Sequence, residues 1–171
     1  MSKPVLYLMV GYPGSGKTSL ARLISEATGA VHIWSDKERH EMFPNPTHSQ
    51  EESLKLYESL NKRTGQLLAA GNSVVFDTNF NFYSDRQKLR DIAEHNNAEC
   101  RVIWLSTPED ISRARAVQTP QVRNGYHVGM SDEQFDQIIN KLEPPKDNEN
   151  FIKLDASNLD KSTALCILGL V

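Results

Sequence analysis

At 171 residues, with 39% hydrophobic and 24% charged side chains, the chain has the length of one domain and a composition that excludes a disordered segment. A formal net charge of −3 argues against a protein built to coat nucleic acid, while leaving room for a local basic groove. Cys100 and Cys166 stand far apart with no CxxC or Cys/His ligand spacing, so each is expected to be a buried free thiol; neither a metal site nor a disulfide framework is indicated.

The first predicted element is the apolar run Val5–Val10. It is too short to cross a bilayer, which takes about 20 residues. A glycine-rich loop follows it where a signal peptide would carry its cleavage site, so it reads as a strand. No other targeting signal is evident, which makes the cytoplasm the expected location and predicts no membrane partner. A helix comes next, with Leu20, Leu23, Ile24 and Ala27 on one face and Thr28-Gly29 as its stop. Ala30–Trp34 is a second strand. Ser35-x-x-Glu38 has the spacing of a capping box that starts a helix. A long helix is predicted from about Ser49 to Ala70, carrying Leu54, Tyr57, Leu60, Leu67 and Leu68 and stopping at Gly71-Asn72.

Ser73–Asp77 is the third strand, followed by a helix from about Ser84 to His95, and Cys100–Leu105 is the fourth strand. Thr107-Pro108-Glu109-Asp110 reads as an N-cap, a first-turn proline and two acidic residues facing the helix dipole. Ser131-x-x-Gln134 is a capping box ahead of Phe135, Ile138, Ile139 and Leu142. Phe151–Leu154 is the fifth strand, and the stretch 158–171 is open between a helix and a strand. Strands alternating with helices imply a three-layer α/β/α domain on a parallel sheet with right-handed crossovers. Phe43-Pro44-Asn45-Pro46 and Pro144-Pro145 are short enough to be loops inside one domain spanning 1–171.

The strongest signal is Gly11-Tyr12-Pro13-Gly14-Ser15-Gly16-Lys17-Thr18, which fits G-x-x-x-x-G-K-[ST] at every position and stands between a strand and a helix. Glycines let the backbone bring its amides against phosphate oxygens. Lys17 supplies a charge between the β- and γ-phosphates, and the Thr18 hydroxyl can ligate Mg²⁺. The following helix turns its positive end to the anion. The nucleotide-binding set is therefore Gly11, Gly14, Ser15, Gly16, Lys17, Thr18 and Ser19.

Three further groups are candidates. Asp77 ends the third strand and could hold a Mg²⁺-bound water, or serve only as a turn residue. Asp36 ends the second strand and could accept the proton of an attacking hydroxyl, with Arg39 one turn on to steer the acceptor; it could equally only begin a helix. Arg113, Arg115 and Arg123 suit a lid over about 113–130, with Gly125 and Gly129 as hinges, or else a solvated basic face. His127 alone reads as a surface or structural residue.

The order GYPGSGKT, SDKER, VVFDTNF and then an arginine-bearing segment before a helix resembles the small P-loop kinases related to the kinase domain of polynucleotide 5′-kinases, a group that includes chloramphenicol phosphotransferase and zeta-toxin kinases. The resemblance covers most of residues 4–155 and implies a P-loop NTPase fold with a five-stranded parallel sheet of order 2-3-1-4-5. It also implies a general base at Asp36, an acceptor-side arginine at Arg39, a strand-closing aspartate at Asp77, and a lid arginine at Arg115 or Arg123. The expected activity is ATP- and Mg²⁺-dependent transfer of the γ-phosphate to a hydroxyl, on a polynucleotide 5′ end or a small alcohol. The aromatic residues Trp34, Phe43, Phe80, Phe82 and Tyr83 could stack bases or simply form core and rim. An ATP-binding switch or adaptor is the competing class. A plain triphosphatase lacks support, since no second acid follows Asp77 directly and no sensor motif of ring ATPases is evident. The absence of an Asn-Lys-x-Asp motif after the fourth strand favours ATP over GTP.

Overall fold

The computed structural model describes residues 3–118, 121–123 and 126–170, with the side chains of 121–123 and 126–128 left aside. The chain runs through β1 (Val5–Gly11), α1 (Lys17–Thr28), β2 (Val31–Trp34), α2 (Ser35–Met42), α3 (Gln50–Ala69), β3 (Val74–Asp77), α4 (Tyr83–His95) and β4 (Glu99–Leu105). It continues through α5 (Glu109–Arg113), a π-helical turn (Ala114–Gln118), β5 (Gln121–Arg123), β6 (Tyr126–Val128) and α6 (Asp132–Ile139). A 3₁₀ turn (Asp147–Glu149), β7 (Phe151–Leu154) and α7 (Lys161–Ile167) complete the described chain.

The main sheet is parallel, with order β2-β3-β1-β4-β7. This is the expected 2-3-1-4-5 arrangement; its fifth strand is β7 because the antiparallel pair β5-β6 intervenes. Alternation along β1 explains why the run lacks a polar face. Leu6, Leu8 and Val10 pack to one side with Leu56, Leu60 and Leu68 of α3 and Leu89 of α4. Tyr7 and Met9 pack to the other with Leu20 and Ile24 of α1 and Ala164 of α7. Both sheet faces are thus covered, giving the three layers.

Local signals account for most helix ends. Gly29 takes a left-handed φ of 72° and its amide closes α1 on the Ser25 carbonyl. The Ser49 hydroxyl caps α3 by accepting from the Glu52 amide, and Ser131 and Gln134 form the expected capping box on α6. The open terminal stretch contains α7, capped by Asp160.

Four expectations are corrected. The Ser35-x-x-Glu38 capping box is not formed: Ser35 is already helical, and its hydroxyl donates to Thr78 Oγ1 at 2.9 Å. Thr107 does not cap α5, because its hydroxyl is drawn to the phosphate loop. Leu54 lies outside the core, since α3 buries its 52/56/60/64/68 ladder instead. Cys166 is exposed, while Cys100 is half-buried with its thiol pushed up to about 12 by desolvation. Among the described residues, no helix is long and apolar enough to cross a membrane.

Candidate active site

Ligand sites in open parallel sheets form beyond the carboxyl ends of the strands. Here the ends of β1, β2 and β3 deliver the phosphate loop, Asp36 and Asp77 to one cleft of about 110 Å³, lined also by Gly14, Gly16, Lys17, Thr18, Ser19 and Arg115. Gly11 and Ser15 lie in the loop beneath it. Lys17 is nearly buried and its Nζ donates to the carbonyls of Gly11 at 2.9 Å and Tyr12 at 2.7 Å, which winds the loop around the ammonium.

The loop has the features of an anion cradle. Gly16, the N-cap of α1, has φ 104° and no side-chain cap, and no acidic residue stands in the first turn. Ser15 Oγ is buried with no hydrogen-bond partner among the described residues. Gly14 has φ +76°, and a Cβ there would lie 2.2 Å from the Ser112 carbonyl oxygen. Gly14→Ala is therefore expected to lower stability by on the order of 1–2 kcal/mol from the left-handed backbone alone. It should also push α5 off the loop, lowering both the urea midpoint and nucleotide affinity.

Thr107 fastens this loop from below. Its hydroxyl donates to the Ser15 carbonyl at 2.9 Å and accepts from the Ala156 amide at 3.2 Å. The segment after β7 is thereby tied to the phosphate loop, and between them opens a second cleft of about 410 Å³. Leu20 and Leu23 of α1, Arg115 and Asn158 line it.

Asp36 is open to the first cleft, yet the surrounding protein displaces enough solvent to raise its pKa, and the charge of Asp77 raises it further. Lys17, His48 and Arg39 oppose that rise. Asp77 is buried, and its Oδ2 meets His32 Nε2 at 3.2 Å. Next to it, Thr78 Oγ1 is the hub of a hydroxyl network, 2.9 Å from Ser35 Oγ and 2.8 Å from the Tyr57 hydroxyl. The network fixes the ends of β2 and β3 to α3.

The arginines are sorted by their partners. Arg39 is not among the residues lining the cleft; it donates to Glu52 Oε1 at 2.5 Å and to Ser53 at 3.3 Å. Burial would raise the Glu52 carboxyl, but hydrogen bonds from Thr47, Arg39 and the His48 amide outweigh it and hold the group at about 2. Arg113 is bound by Glu109, Asp132 and Asp136 and lies over the Phe135 ring at 4.5 Å, clasping α5 to α6. Arg115 reaches from the π-helical turn to the carbonyls of Ala156 at 3.2 Å and Ser157 at 2.7 Å, between the two clefts. The side chain of Arg123 lies outside the described residues, as do that of His127 and all of Gly125.

Sequence reasoning missed His32, Thr107 and the Tyr57–Thr78–Ser35 network, for which no local signal exists. It also missed the β5-β6 pair, where a signal was present: Asn124-Gly125 is the dipeptide that tight hairpins favour.

A family model described as an AAA domain matches residues 6–145. A protein of Acanthamoeba polyphaga mimivirus, named as a bifunctional polynucleotide phosphatase/kinase, is 25% identical over 158 residues, which are 90% of this chain. The chain spans about a third (33%) of that relative's length. Among solved structures, a gluconokinase from Sinorhizobium meliloti aligns with TM-score 0.68 at 21% identity, covering 98% of this chain and 92% of that one. The APS kinase of Mycobacterium tuberculosis in complex with AMPPNP and APS gives 0.70 at 16%, over 99% and 98%. Kti12 of Chaetomium thermophilum in complex with ADP-AlF3 gives 0.73 at 14%, over 97% and 96%. These likenesses establish the fold shared by P-loop kinases and do not single out the zeta-toxin group.

Proposed function

The chain belongs to the AAA-domain family, and from that premise we propose that it is an ATP- and Mg²⁺-dependent phosphotransferase that moves the γ-phosphate to a hydroxyl of a small-molecule acceptor. The observation that carries the reading is the meeting of Lys17, Thr18, Asp36, Asp77 and Arg115 in one cleft. The solved neighbours with small acceptors in their names support the choice of acceptor. A polynucleotide 5′-OH is the second reading, favoured by the viral relative alone.

In this mechanism, the amides of Gly14 to Thr18 cradle the phosphates, and Lys17 moves its ammonium from the loop carbonyls toward the β- and γ-oxygens. The Thr18 hydroxyl and Asp77 are the groups that would hold Mg²⁺, directly or through water, and the bound ion would supply charge neutralisation for the phosphates. Asp36 accepts the acceptor's proton as its oxygen bonds to the γ-phosphorus. The bond to the bridging oxygen breaks and ADP leaves. Arg115 completes the clamp from the lid we assign to 113–130, in a single domain over 1–171, and Arg123 is the alternative lid cation. Arg39 orders the α2 turn that presents Asp36, through Glu52. The cleft beside Ala156 and Asn158 takes the nucleoside.

The test is label transfer from γ-labelled ATP, with Mg²⁺, to a panel of small alcohols and to a 5′-hydroxyl oligonucleotide. Label is expected on an alcohol, reduced about 10²–10⁴-fold by Asp36→Asn with ATP affinity retained. The base must be ionised, so activity is present above the raised pKa of Asp36 and falls as pH drops through it; the variant should lose that limb. Salt-sensitive transfer to the oligonucleotide instead would select the second reading. ATP binding with no transfer to any acceptor would sink the phosphotransferase account and leave a switch.

A further inference from the structure

Resting on the phosphotransferase reading, we propose that the groove between α3 and α4 seats the body of the acceptor, and that this acceptor is a small alcohol with an apolar, ring-sized body rather than a polyol or a polynucleotide. The groove has a volume of about 740 Å³, in the range of small-molecule sites, roughly 300–1,000 Å³. It borders the phosphate cleft, since Thr78 and Asn79 line both. Tyr57, on the groove wall, holds Thr78 through its hydroxyl at 2.8 Å. A molecule lying in the groove can therefore present a hydroxyl at the Thr78 end, where Asp36 and the phosphate loop begin.

The lining decides the chemistry. Leu54, Tyr57, Phe82, Leu89 and Ile92 form apolar walls. Leu54 is 65% exposed and Phe82 41%, so two of the most exposed large hydrophobic side chains among the described residues face one groove. Water-exposed apolar side chains gathered in a concave site are what an apolar ligand would cover. A polyol would need a polar partner for each hydroxyl and would leave these walls unsatisfied. Polar groups line the groove as well, among them Gln50, Ser53, Asn61, Asn79 and Asn81, but most of the exposed lining surface is apolar. Around the rim, Glu58 and Asp85 outnumber Lys88, and Asp36 and Asp77 stand beyond Thr78. A phosphate backbone calls for the opposite sign.

The experiment uses the whole chain with Mg²⁺ and a non-hydrolysable ATP analogue. Ligand-observed saturation-transfer NMR compares benzyl alcohol, phenylethanol and tryptophol with glycerol, glucose and gluconate, and with a 5′-hydroxyl oligonucleotide. ATP affinity is measured on the same samples. The aromatic alcohols are expected to bind and to accept label from γ-labelled ATP, while the polyols and the oligonucleotide do neither. In the double variant Leu54→Asp/Phe82→Ser, whose positions are solvent-exposed, the aromatic alcohols should lose at least about tenfold in affinity, with ATP affinity unchanged. Preference for polyols or for the oligonucleotide would overturn the proposal. So would aromatic binding that survives the double variant, or no alcohol binding while ATP binds. Failure of ATP itself to bind would instead bring down the phosphotransferase reading beneath it.

Discussion

Replacing Lys17 by alanine is expected to cut turnover by at least about 10²–10³-fold, corresponding to roughly 3–4 kcal/mol of transition-state stabilisation. In the proposed mechanism the charge of its ammonium acts where negative charge spreads over the transferring phosphoryl. The same ammonium also holds the loop together through the Gly11 and Tyr12 carbonyls, so the variant has a structural effect. Net loss of such bonds amounts to about 1–3 kcal/mol. Urea unfolding of Lys17→Ala, run beside single-turnover transfer from labelled ATP, separates the two contributions. Lys17→Arg should recover little, because a planar fork cannot replace a point charge inside a loop wound around it. Near-normal turnover in Lys17→Ala would mean that the loop does not act on phosphate at all.

The second large effect concerns stability. Arg86 and Glu149 are fully buried and meet in a two-pronged pair, Nε to Oε2 at 2.6 Å and one terminal nitrogen to Oε1 at 2.8 Å. The other terminal nitrogen donates to the Phe80 carbonyl at 2.9 Å. Truncating one partner strands a buried charge, so Arg86→Ala should cost about 3–5 kcal/mol in urea unfolding. Joint replacement, Arg86→Met with Glu149→Leu, should recover most of the loss, since an apolar pair of similar volume needs no charge partner. Burial raises the Glu149 carboxyl, but the Arg86 hydrogen bonds and the Lys146 amide outweigh it and leave the group below its ordinary value. Its contribution is accordingly complete above the unfolded-state pKa, near 4.5, and is lost as pH falls through the lower folded-state value. Wild-type stability should decline across that acid window, and the apolar double variant should decline less. Equal stability of Arg86→Ala and wild type would contradict the buried pair.

What could be read in advance follows the range of the interactions. The phosphate loop, its flanking strand and helix, and the Gly29 stop are local, each announced by neighbours a few residues apart. The sheet order was legible through the family resemblance and the alternation of strands with helices, since crossover rules leave few topologies. Arg86 and Glu149 lie 63 positions apart, and His32 and Asp77 lie 45 apart; nothing beside either member marks the other. Ser35 and Thr107 misled for a related reason. Each has the spacing of a helix cap, but a more distant partner, Thr78 for one and the Ser15 carbonyl for the other, takes the hydroxyl instead. Arg39 shows the same limit at the site: its one-turn spacing from Asp36 was visible, whereas its engagement with Glu52 on α3 was not.

The π-helical turn at Ala114–Gln118 bears on how this chain should be compared with its relatives. Such a turn amounts to one residue inserted into an α-helix, and every side chain beyond an insertion is rotated by roughly 100°. Arg115 sits inside it. A relative whose lid helix is regular would therefore present its cation one position earlier or later in the chain. An alignment without a gap at Ala114 would pair Arg115 with a residue on a different side of that helix, so Arg115 should be matched by superposition rather than by its place in the chain.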